Sequence, residues 1–91
     1  MGKNSIKIKG KEFNVKEHSY RAFMLFEDMT GKLIQSATTF EDGLKYFYCL
    51  VKASNTDFEY DFDEWVDILE EDPSILYELR EILDKKKRQI I

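Results

Sequence analysis

The chain holds one cysteine, one histidine, one proline and four glycines among 91 residues. Cys49 alone can form no intramolecular disulfide, and one thiol with one imidazole cannot supply a Cys-based zinc site. Nucleophile–base constellations need more of these residues than the chain owns. The glycines stand at positions 2, 10, 31 and 43, too scattered to form a phosphate-cradling loop. No apolar run approaches the roughly 20 residues that span a bilayer, and no apolar stretch follows the first lysines as it would in a secretory leader. A soluble, intracellular protein is expected. His18, just before a helix start, reads as a cap or surface residue, and Cys49 as a small buried apolar side chain.

What the chain does have is aromatic residues: seven Phe, five Tyr and one Trp. They can build the core of a single domain spanning 1–91, without disulfide help. Such a small domain hides only about 60–65% of the surface of its unfolded chain, so its stability margin is thin.

Net charge is −4, but the charge is segregated. Lys3, Lys7, Lys9, Lys11 and Lys16 make the first segment basic. From Asp57 to Asp72 there are nine acidic residues and no basic one, and Lys85, Lys86, Lys87 and Arg88 follow near the end. This asymmetry suits head-to-tail attraction between copies or a partner of patterned charge; equally, it describes three solvated surfaces.

Period-two alternation of Ile6 and Ile8, then of Phe13 and Val15, around Gly10-Lys11 predicts a β-hairpin over about 5–16, with those four side chains on one face. A lone hairpin is marginal in water, so that face must lie on helices. Ser19 as N-cap and Gly31 as left-handed stop bound a helix over about 20–30. Tyr20, Phe23 and Met24 take one side of it, while Ala22, Leu25, Phe26 and Met29 cover most of the rest. Thr38 with Glu41, or Thr39 with Asp42, opens a second helix over about 39–53, with Phe40, Leu44, Phe47, Tyr48 and Val51 on one stripe and Tyr46, Cys49 and Leu50 elsewhere. Asn55-Thr56-Asp57 is a break. Asp61 and Glu64 form a capping box for a third helix over about 62–71, striped by Phe62, Trp65, Val66 and Leu69. Asp72-Pro73 then starts a fourth over about 73–88, whose apolar face is Ile75, Leu76, Leu79, Ile82 and Leu83. The order ββαααα predicts an α+β, mainly α fold, with the hairpin packed on a bundle of about four helices.

Chemistry finds little foothold. Asp57, Glu59, Asp61 and Asp63 alternate like the start of an EF-hand loop, but Phe62 stands where the turn needs Gly and Ile68 where a bidentate Glu belongs. No catalytic, metal or cofactor-binding residue is expected. Nucleic-acid or regulatory binding through the Lys-rich hairpin and the Lys85–Arg88 cluster is the alternative function, opposed by the acidic stretch. The remaining signal is apolar surface in excess of one core face on the first two helices, with Phe62 and Trp65 on an acid-rich third. Phe26, Met29, Tyr46, Leu50, Phe62 and Trp65 are therefore candidates for a partner or self-association surface, or else they simply fill the core.

Tyr20–Lys32, YRAFMLFEDMTGK, resembles the first helix of the small tail assembly chaperones of long-tailed bacteriophages and prophages, with Glu27, Thr30, Gly31 and Lys32 as its E-x-x-TGK ending. The helix Tyr46–Asn55, YFYCLVKASN, the helix over Asp63–Leu69 and the Asp72-Pro73 junction are similar to later parts of the same proteins, so the likeness reaches from the hairpin to about residue 84. It implies a non-catalytic protein of the bacterial host cytoplasm that binds the tape measure protein and keeps it soluble during tail morphogenesis, often as a homo-oligomer. It also implies a frameshifted longer product that recruits the tail tube protein, with which the Lys85–Lys87 run is compatible. No individual site residue carries over.

Overall fold

A computed structural model describes residues 4–16, 19–33, 36 and 39–89, with side chains to residue 83. Strands β1 (Ser5–Ile8) and β2 (Lys11–Asn14) precede helices α1 (Tyr20–Thr30), α2 (Phe40–Ser54), α3 (Phe62–Glu71) and α4 (Ser74–Gln89). The fold is α+β and mainly α, as the sequence indicates. Thr38 and His18 lie outside the described residues, as do the side chains of Lys85–Arg88.

The strands pair antiparallel, with Ile6 opposite Phe13 and Ile8 opposite Lys11. The turn is therefore Lys9-Gly10, one residue earlier than the expected Gly10-Lys11. Both turn residues have positive φ, 53° and 84°, as a type I′ turn requires. Either register keeps Ile6, Ile8, Phe13 and Val15 on one face, so the apolar pattern alone could not choose. In the register adopted, the Lys11 ammonium lies 5.4 Å from the centre of the Phe13 ring and 2.7 Å from the Asp57 carboxylate. That partner holds the Lys11 pKa above its usual range, and Lys11 holds that of Asp57 below.

Each helix is bounded by local chemistry. The Ser19 hydroxyl accepts from the Ala22 N–H at 3.2 Å. Gly31, at φ 73°, ends α1 and donates its N–H to the Glu27 carbonyl. Thr39 caps α2 by accepting from the Asp42 N–H at 3.0 Å. At α3, Asp61 accepts from the Glu64 N–H while the Glu64 carboxylate accepts from the Asp61 N–H, both at 2.8 Å. Asp61 thus serves as the cap of α3. Asp72 accepts from the Ser74 N–H across Pro73, the start expected for α4.

The hairpin's apolar face, Ala22 and Phe26 of α1, residues 48–51 of α2, Trp65, Ile68 and Leu69 of α3, and Ile75 and Leu79 of α4 form one core. Phe58, in the segment before α3, joins it by edge-on contacts with Phe13 (5.4 Å), Tyr48 (5.7 Å) and Trp65 (6.0 Å). Such pairs add roughly 0.5–1.5 kcal/mol each beyond buried area. The polar ends of the two large amphipathic rings are satisfied: Trp65 Nε1 donates to the Leu44 carbonyl at 3.2 Å, and the Tyr48 hydroxyl to the Tyr60 carbonyl at 2.8 Å.

Asn55 does more than break the chain. Its Oδ1 accepts from the Asn14 N–H at 3.0 Å, and its Nδ2 donates to the Asn14 and Val51 carbonyls, both at 2.8 Å. The side-chain amide thus takes both main-chain groups of Asn14 while closing the end of α2. With Lys16 N–H donating to Ser54 Oγ and Lys11 paired to Asp57, residues 54–57 run alongside β2 in the opposite direction and shield an edge that would otherwise invite a foreign strand. Replacing Asn55→Ala should cost about 2 kcal/mol, from three lost hydrogen bonds of roughly 0.5–1.5 kcal/mol each offset by solvent access. A urea melt that left the midpoint unchanged would refute the clamp.

Candidate binding face

The structure sorts the six candidate surface residues, and half of them move inward. Phe26, Leu50 and Trp65 are fully buried. They are core, not surface, because α1 turns its Ala22–Phe26 side toward the domain and residues 48–51 of α2 are enclosed on every side. Met29 is half-buried, its sulfur 3.5 Å from the Cys49 thiol. Phe62 is half-buried too, edge-on to Tyr48 at 5.8 Å, with the Lys45 ammonium 5.7 Å from its ring centre. Only Tyr46, half-buried, borders an open apolar surface.

That surface is made by large side chains outside the six candidates. Tyr20 and Met24 of α1 and Phe40 of α2 are 76, 64 and 74% exposed. Ring contacts tie the two helices together across it. Tyr20 meets Phe23 at 6.2 Å, Phe23 stacks on Tyr46 at 6.1 Å and 19°, and Tyr46 meets Phe47 at 6.3 Å. Burial of Tyr46 pushes its phenol pKa up, so the ring stays neutral. Leu33 and Tyr77 are also more than half exposed. Scattered exposed apolar side chains are ordinary, but an exposed ring such as Tyr20, joined through Phe23 to Tyr46 and Phe47 of the second helix, belongs to an aromatic surface of the kind partners use. The sequence holds one clue to this facing. Ala22 is the smallest side chain of α1, and a small residue marks where a helix approaches its neighbours most closely.

The TGK ending has a local account. Thr30 Oγ1 donates to the Phe26 carbonyl at 2.8 Å and accepts from the Lys32 N–H at 3.0 Å, and Gly31 supplies the left-handed residue. The Lys32 ammonium reaches the buried Asp42 carboxylate at 2.8 Å, joining the end of α1 to the first turn of α2, where a carboxylate also suits the helix dipole.

A second feature is acidic. Two adjoining clefts of about 350 and 240 Å³ share Tyr60 and Glu64. Their walls carry Asp57, Glu59, Asp67 and Glu71, and also Lys9 and Lys11 of the hairpin. A phosphate backbone approaching those lysines would meet five carboxylates, which weighs against the nucleic-acid reading. Among the described residues no three His, Cys, Asp or Glu side chains are grouped to hold a metal ion, and no helix is long and apolar enough to cross a membrane.

Cys49 is buried in the core, and burial pushes its pKa up to about 12, with Lys52 pulling weakly the other way. The thiolate needed for nucleophilic or redox chemistry is thereby suppressed. Compared with family models, curated proteins and solved structures, the chain matches none.

Two measurements check this placement. Tyr20→Ser, Met24→Ser and Phe40→Ser should each shift stability by no more than about 0.5 kcal/mol, whereas Phe26→Ala should cost about 3–5 kcal/mol; the reverse order would restore the opposite facing of α1. For Cys49 the folded pKa is raised, so its contribution to stability is fully present below the ordinary thiol range and is lost as pH rises from about 9 toward about 12. Native protein at pH 8 should accordingly react with a thiol-specific disulfide reagent far more slowly than urea-unfolded protein, and equal rates would contradict the enclosed thiol.

Proposed function

We propose that this chain is a non-catalytic binding protein whose aromatic face on α1 and α2 covers apolar helices of a partner. Its specific role is then that of a tail assembly chaperone of a long-tailed phage or prophage, working in the bacterial host cytoplasm with the tape measure protein as client. The observations that carry the reading are the exposure of Tyr20, Met24 and Phe40 on α1 and α2 and the Phe23, Tyr46 and Phe47 rings that join Tyr20 across the two helices.

The physics suits the role. A tape measure exposes amphipathic helices that have nothing to pack on, and an apolar face with a charged rim covers such helices reversibly. Met and aromatic side chains adapt to many apolar partners and are enriched at the centres of interfaces. The raised pKa of the buried Cys49 and the spread of the carboxylates along an outer cleft add no catalytic constellation to this picture.

Co-expression with a tape measure protein is the test. The wild-type chain should keep that client in the soluble fraction and co-purify with it, and the Tyr20→Ser/Met24→Ser/Phe40→Ser variant, still folded by circular dichroism, should recover at least about tenfold less. A client that precipitates beside the wild-type chain, or that the triple variant rescues equally well, overturns the proposal.

A further inference from the structure

Gly43 is unexplained by the fold. It lies inside α2, where glycine weakens a helix relative to alanine. Among the described residues, positive φ is confined to Lys9, Gly10 and Gly31, so Gly43 needs no special backbone conformation. Nor is it there for close packing, since a Cβ built on it would meet no atom within 4 Å. The free protein therefore has room for a side chain that it does not carry.

The surroundings of that empty space are specific. Phe40 precedes Gly43 by three residues and Phe47 follows by four, which places all three on one side of α2. Phe40 is largely exposed, and Phe47 is joined through Tyr46 and Phe23 to exposed Tyr20. Bare backbone between two aromatic side chains makes a notch at the edge of the binding face.

We infer that Gly43 is the crossing point at which an amphipathic helix of another protein, carrying Lys or Arg beside its apolar stripe, lays its backbone against α2. This deepens the partner-covering role proposed above and rests on it. A side chain at the crossing point would hold the two backbones apart, whereas Phe40 and Phe47 grip the incoming apolar stripe on either side.

Charge selects the occupant. At roughly 150–250 Å² per large side chain, the exposed parts of Tyr20, Met24 and Phe40 amount to roughly 450 Å². A stable dimer buries about 800 Å² per partner, only roughly half of it apolar. Area therefore admits either a second copy or a single helix offering anchors at i, i+3, i+4 and i+7. Around the patch, Lys32 and Lys45 are held by Asp42 at 2.8 Å and Glu41 at 3.1 Å. Glu27 and Asp28, one turn beyond Met24 on α1, are exposed and enter no ion pair among the described residues. Beside them only Arg21 of α1 is cationic, so the rim left for a partner is acidic.

The probes are two labelled synthetic 18-residue helical peptides, one of Leu and Lys and one of Leu and Glu, titrated with the full chain by fluorescence anisotropy. The wild-type chain should prefer the Leu/Lys peptide by at least about tenfold. Gly43→Ala should melt a few degrees higher, as roughly expected for a repaired helix interior, yet bind that peptide about three- to tenfold more weakly. Gly43→Leu should weaken binding more than tenfold. Unchanged affinity in both Gly43 variants, preference for the Leu/Glu peptide, or no binding of either peptide overturns the inference. So does a wild-type dimer that sedimentation shows Gly43→Leu to dissociate. If the Gly43 variants bind normally while the Tyr20/Met24/Phe40 triple variant does not, the crossing point is wrong and the binding face stands. If the triple variant also binds normally, both fall.

Discussion

Four consecutive residues of α2, Tyr48, Cys49, Leu50 and Val51, are buried. Four successive helical positions point in four directions, so this half of α2 must be surrounded. The hairpin, α1 and α3 all pack against it, and Phe58 reaches in from the segment before α3. A small domain has too few elements to enclose a helix along its whole length. The covering ends near Tyr46, and the first half of α2 is left with Phe40 and Gly43 toward solvent. The open face is thus a consequence of where the core was spent.

Most of the element plan was legible because it is written in short-range chemistry. Ser19, Thr39, Asp61 with Glu64, and Asp72-Pro73 start helices by satisfying N–H groups a few residues away, and Gly31 stops one by taking a left-handed conformation. Such interactions need no knowledge of the tertiary fold. The facing of the helices was not legible in the same way. On α1 both Tyr20–Phe23–Met24 and Ala22–Phe26–Met29 are apolar at helical spacing, and periodicity cannot rank two apolar stripes. What ranks them is shape: Ala22 lets α1 approach the core closely, and Phe26 then fills it. For Leu50 of α2 and Trp65 of α3 the pattern leaves surface and core both open, because the extent to which the helices enclose one another is a property of the assembled fold. Likewise, nothing local reveals that Asn55 reaches back 41 residues to Asn14.

The E-x-x-TGK ending shows how a family-like signature can have a purely structural cause. Thr30 and Gly31 close the helix and Lys32 meets Asp42 ten residues on. Any chain that ends an apolar helix and turns into a second one beneath a buried carboxylate has use for the same Thr-Gly-Lys run.

Exposed aromatic side chains carry a hazard as well as a use, because like faces on two copies attract each other. Charge moderates that attraction. The patch is flanked by Glu27 and Asp28, α3 exposes Asp63, Glu64, Asp67, Glu70 and Glu71, and the whole chain is negative. Two copies meeting through the aromatic face bring like charges together, whereas a helix bearing cations beside its apolar stripe gains on both counts. This repulsion is screened beyond about 10 Å in 0.1 M salt, so it acts only where surfaces nearly touch. There it opposes contact between two copies without adding a single contact to the core.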